Sequence, residues 1–309
     1  GRDNTALGFS AGATNTTGLE NTAIGMYALR FNTTGQTNTA VGLQALHRNT
    51  TANNNTAVGR NAMEANTTGS ENTAVGTLSL DANTTGTNNA SFGYDSLSAN
   101  TTGVSNTALG DSALKANTTA SNNTAVGQSA LLVNTTGSSN TAVGAQALDA
   151  ITTGSNNVAL GQGALSTEDV GGRSVAVGVN ALGQQNVDGD VYNVAVGHAA
   201  GNNITTGIQN TFIGGLAGDA LTDADGNVAL GTYALSTDTL GSRAVAIGHG
   251  ALLTQNFTSA TNNYNVGVGH SAGRAVTTGV NNTFIGGLAG DTTTTGAHNT
   301  AVGFDSLTS

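Results

Sequence analysis

The chain has 309 residues, with 8 lysines and arginines against 18 aspartates and glutamates, and a formal net charge of −10 at pH 7. This balance argues against nucleic acid as a partner, because phosphate binding needs a basic stripe and the few cations are scattered. No apolar run is long enough to enter a membrane directly. The 45 glycines occur without proline or cysteine, and aliphatic residues recur in register, which excludes a disordered chain.

A five-residue motif, seen clearly at Asn21–Gly25, organises the whole sequence. Counting variants such as Asn89–Gly93 and Ser174–Gly178, it occurs eighteen times, beginning at residues 4, 21, 38, 55, 72, 89, 106, 123, 140, 157, 174, 193, 210, 227, 244, 265, 282 and 299. Fifteen of the seventeen spacings are 17 residues, and the other two are 19 and 21. A short fixed period is typical of a solenoid or fibre.

Each repeat, numbered from its leading asparagine as position 0, combines a β-prone run with turn residues. Position 4 is always glycine, position 3 is Val, Ile, Leu or once Phe92, and position 2 is usually Ala. Position 7 is Ala or Ser, position 8 is Leu, Met or Gly, and positions 11–14 read close to Asn-Thr-Thr-Gly in most early repeats. The apolar spacing does not follow the helical period, and each glycine would cost a helix about 1 kcal/mol. The pattern therefore predicts short strands separated by tight turns.

One 17-residue repeat is too short to form a sheet alone. We predict an all-β chain in which each repeat is one coil of a parallel β-solenoid of about eighteen coils. Identical positions would then lie above one another at about 4.8 Å. Asn and Thr would stack in ladders, each side chain bonding to its copies in the neighbouring coils. The Asn-Thr-Thr segments are interpreted as such ladders rather than as glycosylation sites.

The expected core is thin. It consists of the large aliphatic residue at position 3, the frequent Leu at position 8 and otherwise Ala, which leaves little margin against chain entropy. Small alanine faces allow close backbone approach, so we expect a parallel homotrimer that shares a central core, with a free-standing monomer as the alternative. Because solenoid ends normally carry caps and the repeat starts at Asn4, we also expect flanking domains in a longer polypeptide.

The repeated Asn-Thr-Ala-Val-Gly followed by x-x-Ala-Leu, as at Asn38–Leu46, resembles the head repeats of trimeric autotransporter adhesins. It is also similar to repeats in tail-fibre proteins of phages and their bacterial relatives. The resemblance covers the whole chain. It implies a left-handed parallel β-roll, three chains side by side, and an extracellular place in a virion tail fibre or bacterial surface adhesin.

The chain divides into two regions in sequence order. Residues 1–156 are regular 17-residue coils, whereas residues 157–309 continue the pattern with a duplicated four-coil block. In this duplication, residues 157–226 match residues 227–298, and each copy contains one of the two long spacings, before Tyr192 and Tyr264. We expect the extra residues to bulge outward, and insertions of this kind typically mark a binding face.

The two long loops supply the candidate receptor-binding residues. In the first loop they are Gln184, Gln185, Asn186, Asp188, Asp190 and Tyr192; in the second they are Gln255, Asn256, Phe257, Asn262, Asn263 and Tyr264. Polar amides beside an aromatic ring suit sugar recognition, and the alternative is a solvated loop whose tyrosine packs on the coil. A cell-surface glycan or receptor is therefore one expected partner, and other copies of the chain are the other.

Three motifs suggest chemistry but are interpreted without it. Ser271 lies in a Gly-x-Ser-x-Gly run, which the repeat itself generates by placing glycine at positions 4 and 8, so we predict no enzyme. His249 and His270 share position 5 of adjacent coils and should stack, and Asp223–Asn227 resembles part of a calcium loop without its distal glutamate. We predict no bound metal and no cofactor.

These patterns favour a structural and adhesive fibre segment, a rigid trimeric rod that presents a receptor-binding or surface-binding face. The alternative is an ice-binding β-solenoid that uses threonine ladders, with Thr17, Thr34, Thr51, Thr68 and Thr85 as its row. A polysaccharide-degrading tailspike would instead need paired carboxylates in one patch, whereas the acids here lie mostly at unrepeated turn positions.

Overall fold

The computed structural model describes residues 1–308. The chain forms two compact units, Gly1–Ser155 and Asn156–Ser309, and the described residues contain strands and turns but no helix. Each unit is a parallel β-solenoid of nine coils, which together make about eighteen coils of about 17 residues. The predicted all-β class and the parallel solenoid are confirmed.

The first unit contributes one three-residue strand per coil. Its strands are β1 Thr5–Leu7, β2 Thr22–Ile24, β3 Thr39–Val41, β4 Thr56–Val58, β5 Thr73–Val75, β6 Ala90–Phe92, β7 Thr107–Leu109, β8 Thr124–Val126 and β9 Thr141–Val143. Each strand pairs in parallel with the next at equal positions, so that Ala40 of β3 lies opposite Ala57 of β4. Like residues therefore lie above one another, as the period predicts.

The second unit follows the same plan. Its main strands are β10 Val158–Leu160, β11 Val175–Val177, β12 Val194–Val196, β13 Thr211–Ile213, β14 Val228–Leu230, β16 Val245–Ile247, β18 Val266–Val268, β19 Thr283–Ile285 and β20 Thr300–Val302, with a separate pair formed by β15 Gly241–Ser242 and β17 Thr261–Asn262. The register survives both long spacings, because Val175 still pairs with Val194 and Val245 with Val266. The extra residues are therefore accommodated outside the main sheet.

Position 4 ends each strand and requires glycine for two reasons. Gly25 has a φ of 130°, a conformation that L side chains rarely adopt. A Cβ atom on Gly25 would also lie 2.5 Å from the carbonyl oxygen of Gly42 in the next coil. Any side chain here would separate the coils.

Positions 6, 8 and 16 are left-handed although they carry side chains, with φ values of 63° at Tyr27, 50° at Leu29 and 56° at Thr37. Such a conformation costs about 1–2 kcal/mol per residue. The backbone bonds between coils offset this cost, since the Tyr27 amide donates to the Phe9 carbonyl at 2.9 Å and the Leu29 amide to the Ala45 carbonyl at 3.0 Å. The stack as a whole therefore maintains a backbone that one repeat alone would not adopt.

The interior differs from the predicted core at one position. The middle strand residue, such as Ala40, is fully buried, and so are Ala45 and Leu46 at positions 7 and 8. Val41 at position 3 is only half-buried, so the assignment of position 3 to the core is wrong. Side chains alternate along a strand, and the narrow coil accepts the alanine inward because Leu46 already fills the space.

Two asparagine ladders complete the interior, and their prediction is confirmed. At position 0, Asn38 Nδ2 donates to the Ala52 carbonyl at 2.9 Å, and Asn38 Oδ1 accepts the Asn55 amide at 3.0 Å. At position 11, Asn49 Nδ2 donates to Asn32 Oδ1 of the preceding coil at 2.8 Å. Buried amides are tolerated only when they are bonded in this way.

The threonines at positions 12 and 13 have different roles. Thr33 Oγ1 at position 12 donates to the Thr50 carbonyl of the next coil at 3.0 Å, and Thr67 Oγ1 bonds to the Thr84 carbonyl in the same way. Thr34 at position 13 is exposed. The predicted threonine ladder is thus a side-chain-to-backbone ladder at position 12.

Two coils of the second unit exchange volume between positions 2 and 8. Phe212 and Phe284 replace the inward alanine and are fully buried, while Gly218 and Gly290 replace the leucine at position 8. A Cβ atom on Gly218 would lie 2.5 Å from the Phe212 ring. Each ring therefore occupies the space that leucine fills elsewhere.

Candidate binding surface of the second unit

In the second unit the position 11 ladder is rebuilt from other residues. Its members there are Glu168, Gln185, Ile204, Leu221, Asp238, Gln255, Val276 and Thr293. Each copy of the duplicated block begins with an acid followed by a glutamine, and all four of these polar residues are fully buried. Both glutamines lie in the long coils, so the ladder changes where the loops are inserted.

In the first copy, Glu168 receives donors on both carboxylate oxygens. Gln185 Nε2 donates to Oε2 at 2.8 Å and the Gly171 amide donates to Oε1 at 2.7 Å. Gln185 Oε1 in turn accepts Asn193 Nδ2 at 2.9 Å, which joins this ladder to the one at position 0. Burial raises the pKa of the Glu168 carboxyl above its usual value, and the Gln185 and Gly171 donors offset part of that rise.

The second copy repeats the network with a shorter acid. Gln255 Nε2 donates to Asp238 Oδ2 at 2.6 Å, and Gln255 Oε1 accepts Asn265 Nδ2 at 2.9 Å. Asp238 Oδ1 accepts the amide of Phe257 at 2.9 Å. A buried acid therefore anchors the base of each long loop to the coil interior.

Each loop also pairs with the preceding coil. In the first, Asp190 forms a parallel bridge with Gly172; in the second, β17 pairs with β15. Of the twelve candidate residues, Gln184, Asn186, Asp188, Asp190, Tyr192, Asn262 and Tyr264 are exposed, Asn256 is half-buried, and Gln185, Gln255, Phe257 and Asn263 are buried.

Two of the four buried candidates, Gln185 and Gln255, occupy the regular position 11 of their coils. The other two, Phe257 and Asn263, lie within the lengthened segment, and the outward bulge predicted there is wrong for them. Phe257 packs against Gly241, where a Cβ atom would lie 2.8 Å from its ring. Asn263 Oδ1 accepts the Asn265 amide at 2.9 Å and so supplies the ladder acceptor that Ala244 at position 0 lacks. These buried side chains fill the coil interior and complete its hydrogen bonds, and the exposed residues form the outer surface of the loops.

An exposed arginine accompanies each loop tyrosine. Arg173 Nη1 donates to Tyr192 OH at 2.7 Å and forms an ion pair with Asp190, and its guanidinium lies 5.6 Å from the Tyr192 ring centroid. In the second copy, Arg243 Nη1 donates to Tyr264 OH at 3.2 Å with its guanidinium 5.7 Å from the ring centroid. The two tyrosines are 49% and 50% exposed.

These arginines and the two buried acids are absent from the sequence-based candidates. The signal was present, because Arg173 and Arg243 both occupy position 16 and Glu168 and Asp238 both occupy position 11 of equivalent coils. Aligning the two copies of the duplicated block position by position would have revealed all four. We name each arginine with its tyrosine an Arg–Tyr pair.

The three motifs set aside in the sequence take ordinary places in the coils. The His249 and His270 rings stack at a centroid distance of 5.4 Å with an interplanar angle of 9°, which confirms their predicted stacking. Ser271 is buried at position 6 with a φ of 55°. Asp225 Oδ1 accepts the Ile208 amide of the preceding coil at 2.8 Å.

A second surface runs along the strands. Positions 1 and 3 face outward in every coil, and we call the row they form the strand face. In the first unit this face alternates Thr with an aliphatic residue, as at Thr39 and Val41. In the second unit position 1 is mostly Val, so that pairs such as Val194 and Val196 make it apolar. Val196 and Ile213 remain 37% and 38% exposed.

Comparison with known proteins does not identify a family for this chain. No protein-family model matches the sequence, and no curated protein matches it. Among the described residues there is no helix with the length and apolar character that crossing a membrane requires. The same residues contain no group of three or more His, Cys, Asp or Glu arranged to hold a metal ion.

Proposed function

We propose that this chain is a segment of an extracellular adhesive fibre, belonging to a virion tail fibre or a bacterial surface adhesin. In this proposal three copies associate in parallel as left-handed β-rolls, and the exposed loops of the second unit contact a glycan or receptor on another surface. The observation that carries the proposal is the strand face of the second unit, where aliphatic side chains at position 3 follow one another from coil to coil and Val stands at position 1 in most coils.

The composition of this face favours a second and third copy as its partners. Position 3 is aliphatic in every coil of this unit, and most coils add Val at position 1, as in Val175 with Val177 and Val228 with Leu230. Contiguous apolar surface of this kind is rare on monomeric proteins. A copy of the same chain offers apolar side chains at a matching repeat along its own strands, because both follow the inter-strand spacing of about 4.8 Å.

The loops support the adhesive part of the proposal. The Arg–Tyr pairs present a ring and a cation on exposed segments, and arginine and tyrosine are enriched where proteins bind partners. The buried acid and glutamine beneath each loop fix its base, which lowers the entropy lost on binding. The same pair occurs in both copies of the duplicated block, so each chain carries it twice.

The assembly is tested by measuring mass in solution. The chain should sediment at three times its mass of 30.3 kDa, and the double variant Val196→Glu/Ile213→Glu should sediment as a single chain, because the charges would be buried without partners. Thr206→Glu, at an exposed position outside the strand face, is the control and should stay trimeric. A wild-type chain with the mass of one copy would refute the trimer.

Adhesion is tested with the labelled chain on a panel of bacterial and animal cells. Binding to at least one cell type should fall in Tyr192→Ala/Tyr264→Ala and persist in Tyr233→Ala, which removes an exposed tyrosine outside the loops. An equal loss of binding in both variants would remove the loops from the proposal. If the wild-type chain binds none of the cell types, the proposed adhesive function is wrong.

Ice binding is the second candidate, favoured by the strand face of the first unit. There the outward threonines of position 1, such as Thr39 and Thr56, stand beside Val41 and Val58 on paired parallel strands. The row at Thr17 and its equivalents is exposed as well. Thermal hysteresis that disappears in Thr39→Lys/Thr56→Lys would favour this function, and a freezing point without hysteresis would exclude it.

A further inference from the structure

A polar groove of about 510 Å³ lies beside the base of the first long loop. Its lining side chains are Ser166, Thr167, Asn180, Gln184, Asn186 and Asn202. Its volume falls within the range of about 300–1,000 Å³ that is usual for ligand sites. Every lining side chain is uncharged, so the polar groups that these side chains offer are amides and hydroxyls.

Position 9 of the coil in the middle of this groove is Gly183, which also lines it. A Cβ atom there would lie 2.7 Å from Asn202 Oδ1 on the opposite side, so a side chain would fill the space between the coils. At the equivalent position of the second copy the chain has Leu253, and Arg274 replaces Asn202. The surface around Thr254 and Arg274 in that copy also includes Asp291. The duplication has thus diverged into one neutral and one charged surface.

Several polar groups of the groove retain bonding capacity. Among the described residues, the Asn180 and Asn186 side chains make no hydrogen bond to another side chain or to the backbone. The one bond of the Gln184 side chain is a 3.4 Å contact from Nε2 to Asn203 Oδ1. Thr167 Oγ1 donates to the Gly183 carbonyl at 2.9 Å, which leaves its acceptor lone pairs available.

The groove is held in place before any ligand arrives. The Gln184 amide donates to the Asn202 carbonyl at 3.0 Å, and the Asn186 amide donates to the Thr205 carbonyl at 2.9 Å. Between them, the Gln185 side chain turns inward to Glu168. Its two neighbours therefore face outward together, and the backbone that carries them is fixed before binding.

We propose that this groove binds a neutral saccharide unit of a glycan. An amide presents a donor and an acceptor side by side, which matches a sugar hydroxyl that both donates and accepts. An acidic sugar would need a cation in the lining, and none is present among the lining residues. The inference rests on the proposed adhesive function, because it names the class of surface ligand that the fibre takes.

The test is a glycan array carrying neutral glycans, ending in glucose, galactose, mannose or N-acetylglucosamine, beside sialylated and uronic-acid glycans. Wild-type protein should bind neutral glycans, and titration with the strongest neutral oligosaccharide should give an affinity at least about tenfold lower in Gly183→Leu. Leucine is native at the equivalent position of the second copy, so this variant is expected to fold. Asn186→Ala, at an exposed side chain, should weaken binding without altering the melting temperature.

The control is Thr278→Leu, which adds the same side chain at an exposed position of the second copy and should bind as wild type. Unchanged affinity in both Gly183→Leu and Asn186→Ala, or binding of acidic glycans alone, would overturn the groove assignment. If the chain still forms trimers and adheres to cells in that case, the fibre function stands without this groove. If the chain binds saccharide but neither forms trimers nor adheres to cells, the groove assignment stands and the proposed fibre function is wrong.

Discussion

The buried asparagine at position 0 both donates and accepts a hydrogen bond through its side chain, which no apolar residue could do. Asn55 Nδ2 donates to the Gly69 carbonyl at 2.9 Å, and its Oδ1 accepts the Asn72 amide at 2.9 Å. The first bond closes the coil on itself and the second joins it to the next coil. A coil with one inward leucine therefore gains cohesion from bonds between amides and backbone as well as from apolar burial.

Asn55→Ala should lower the free energy of unfolding by about 1–3 kcal/mol, because the Asn72 amide would remain buried without a partner and the Gly69 carbonyl would keep only its bond from Asn66 Nδ2. Thr51→Ala, at an exposed residue of the preceding coil, is the matched control and should change stability by less than about 0.5 kcal/mol. Chemical denaturation of both variants measures the difference. Equal stability of the two variants would mean that the ladder does not hold the coils together.

Asp81 gives the first unit a pH dependence with an unusual sign. Burial raises the pKa of its carboxyl to about 6 from 3.8, and the neighbouring Asp95 and Glu64 carboxylates add to the rise. The native state therefore binds a proton more tightly than the unfolded state does. The resulting stabilisation is complete below pH 3.8 and is lost as the pH rises through 6.

Asp81→Asn should remove most of that loss, which we expect to be about 1–2 kcal/mol because the carboxyl is only partly shielded from water. Wild-type stability should fall between pH 4 and pH 6, while the variant should show a flatter profile in thermal melts across this range. A remaining slope of the same sign is expected, since burial also raises the pKa of Asp149 and Asp219. Asp111→Asn, at an exposed aspartate, is the control, and an identical effect there would contradict this origin.

A single coil tolerates large changes when its volume is conserved. Phe212 enters at position 2 only because Gly201 and Gly218 leave position 8 empty in its own coil and the preceding one, where Cβ atoms would lie 2.5 Å from the ring. The same exchange recurs at Phe284. The coil interior thus behaves as one packed space shared by positions 2 and 8.

Gly218→Leu should destabilise the second unit by about 3 kcal/mol, because the added side chain overlaps the Phe212 ring. Phe212→Ala alone should cost about 3–5 kcal/mol by leaving a cavity. The double variant restores the usual pairing of Ala with Leu and should be more stable than either single variant. A double-mutant cycle by denaturation measures the coupling, and simple addition of the two losses would show that the residues do not share space.

The long coils show how an insertion is absorbed at the level of one element. The first adds residues before Tyr192 and pairs Asp190 with Gly172; the second adds more before Tyr264 and forms the β15–β17 pair. In both, a buried acid accepts a donor from the loop glutamine. The main strands keep their register because the added residues lie outside it.

At the scale of the whole molecule, the period alone predicts the coils, their parallel register and the ladders. It does not predict which face of a strand points inward. Ala40 and Val41 are neighbours in one strand, and the sequence predicts that the larger Val41 lies in the core. The structure buries Ala40 instead, because the coil is narrow and Leu46 already fills its interior. The length of the loop likewise does not predict that the Phe257 side chain is buried, because its burial depends on the space left by Gly241.

The solenoid also predicts which deletions the first unit survives. Its coils contact their immediate neighbours through equal positions, so stability should behave as a sum of coil and interface terms. Deleting residues 123–139 removes one complete coil and places the coil at 106 against the coil at 140. Asn106 would then bond to Asn140 as Asn123 now does, with the amide of Asn140 meeting the side-chain oxygen.

Deleting residues 123–131 removes only half a coil and shifts every later residue by about half a turn. Ala142 would no longer face inward, and the two asparagine ladders would meet apolar or exposed positions. We expect the 17-residue deletion to retain the wild-type circular dichroism with a modestly lower melting temperature, and the nine-residue deletion to lose the cooperative transition of this unit. Equal tolerance of both deletions would mean that the stacking of like positions does not specify the fold.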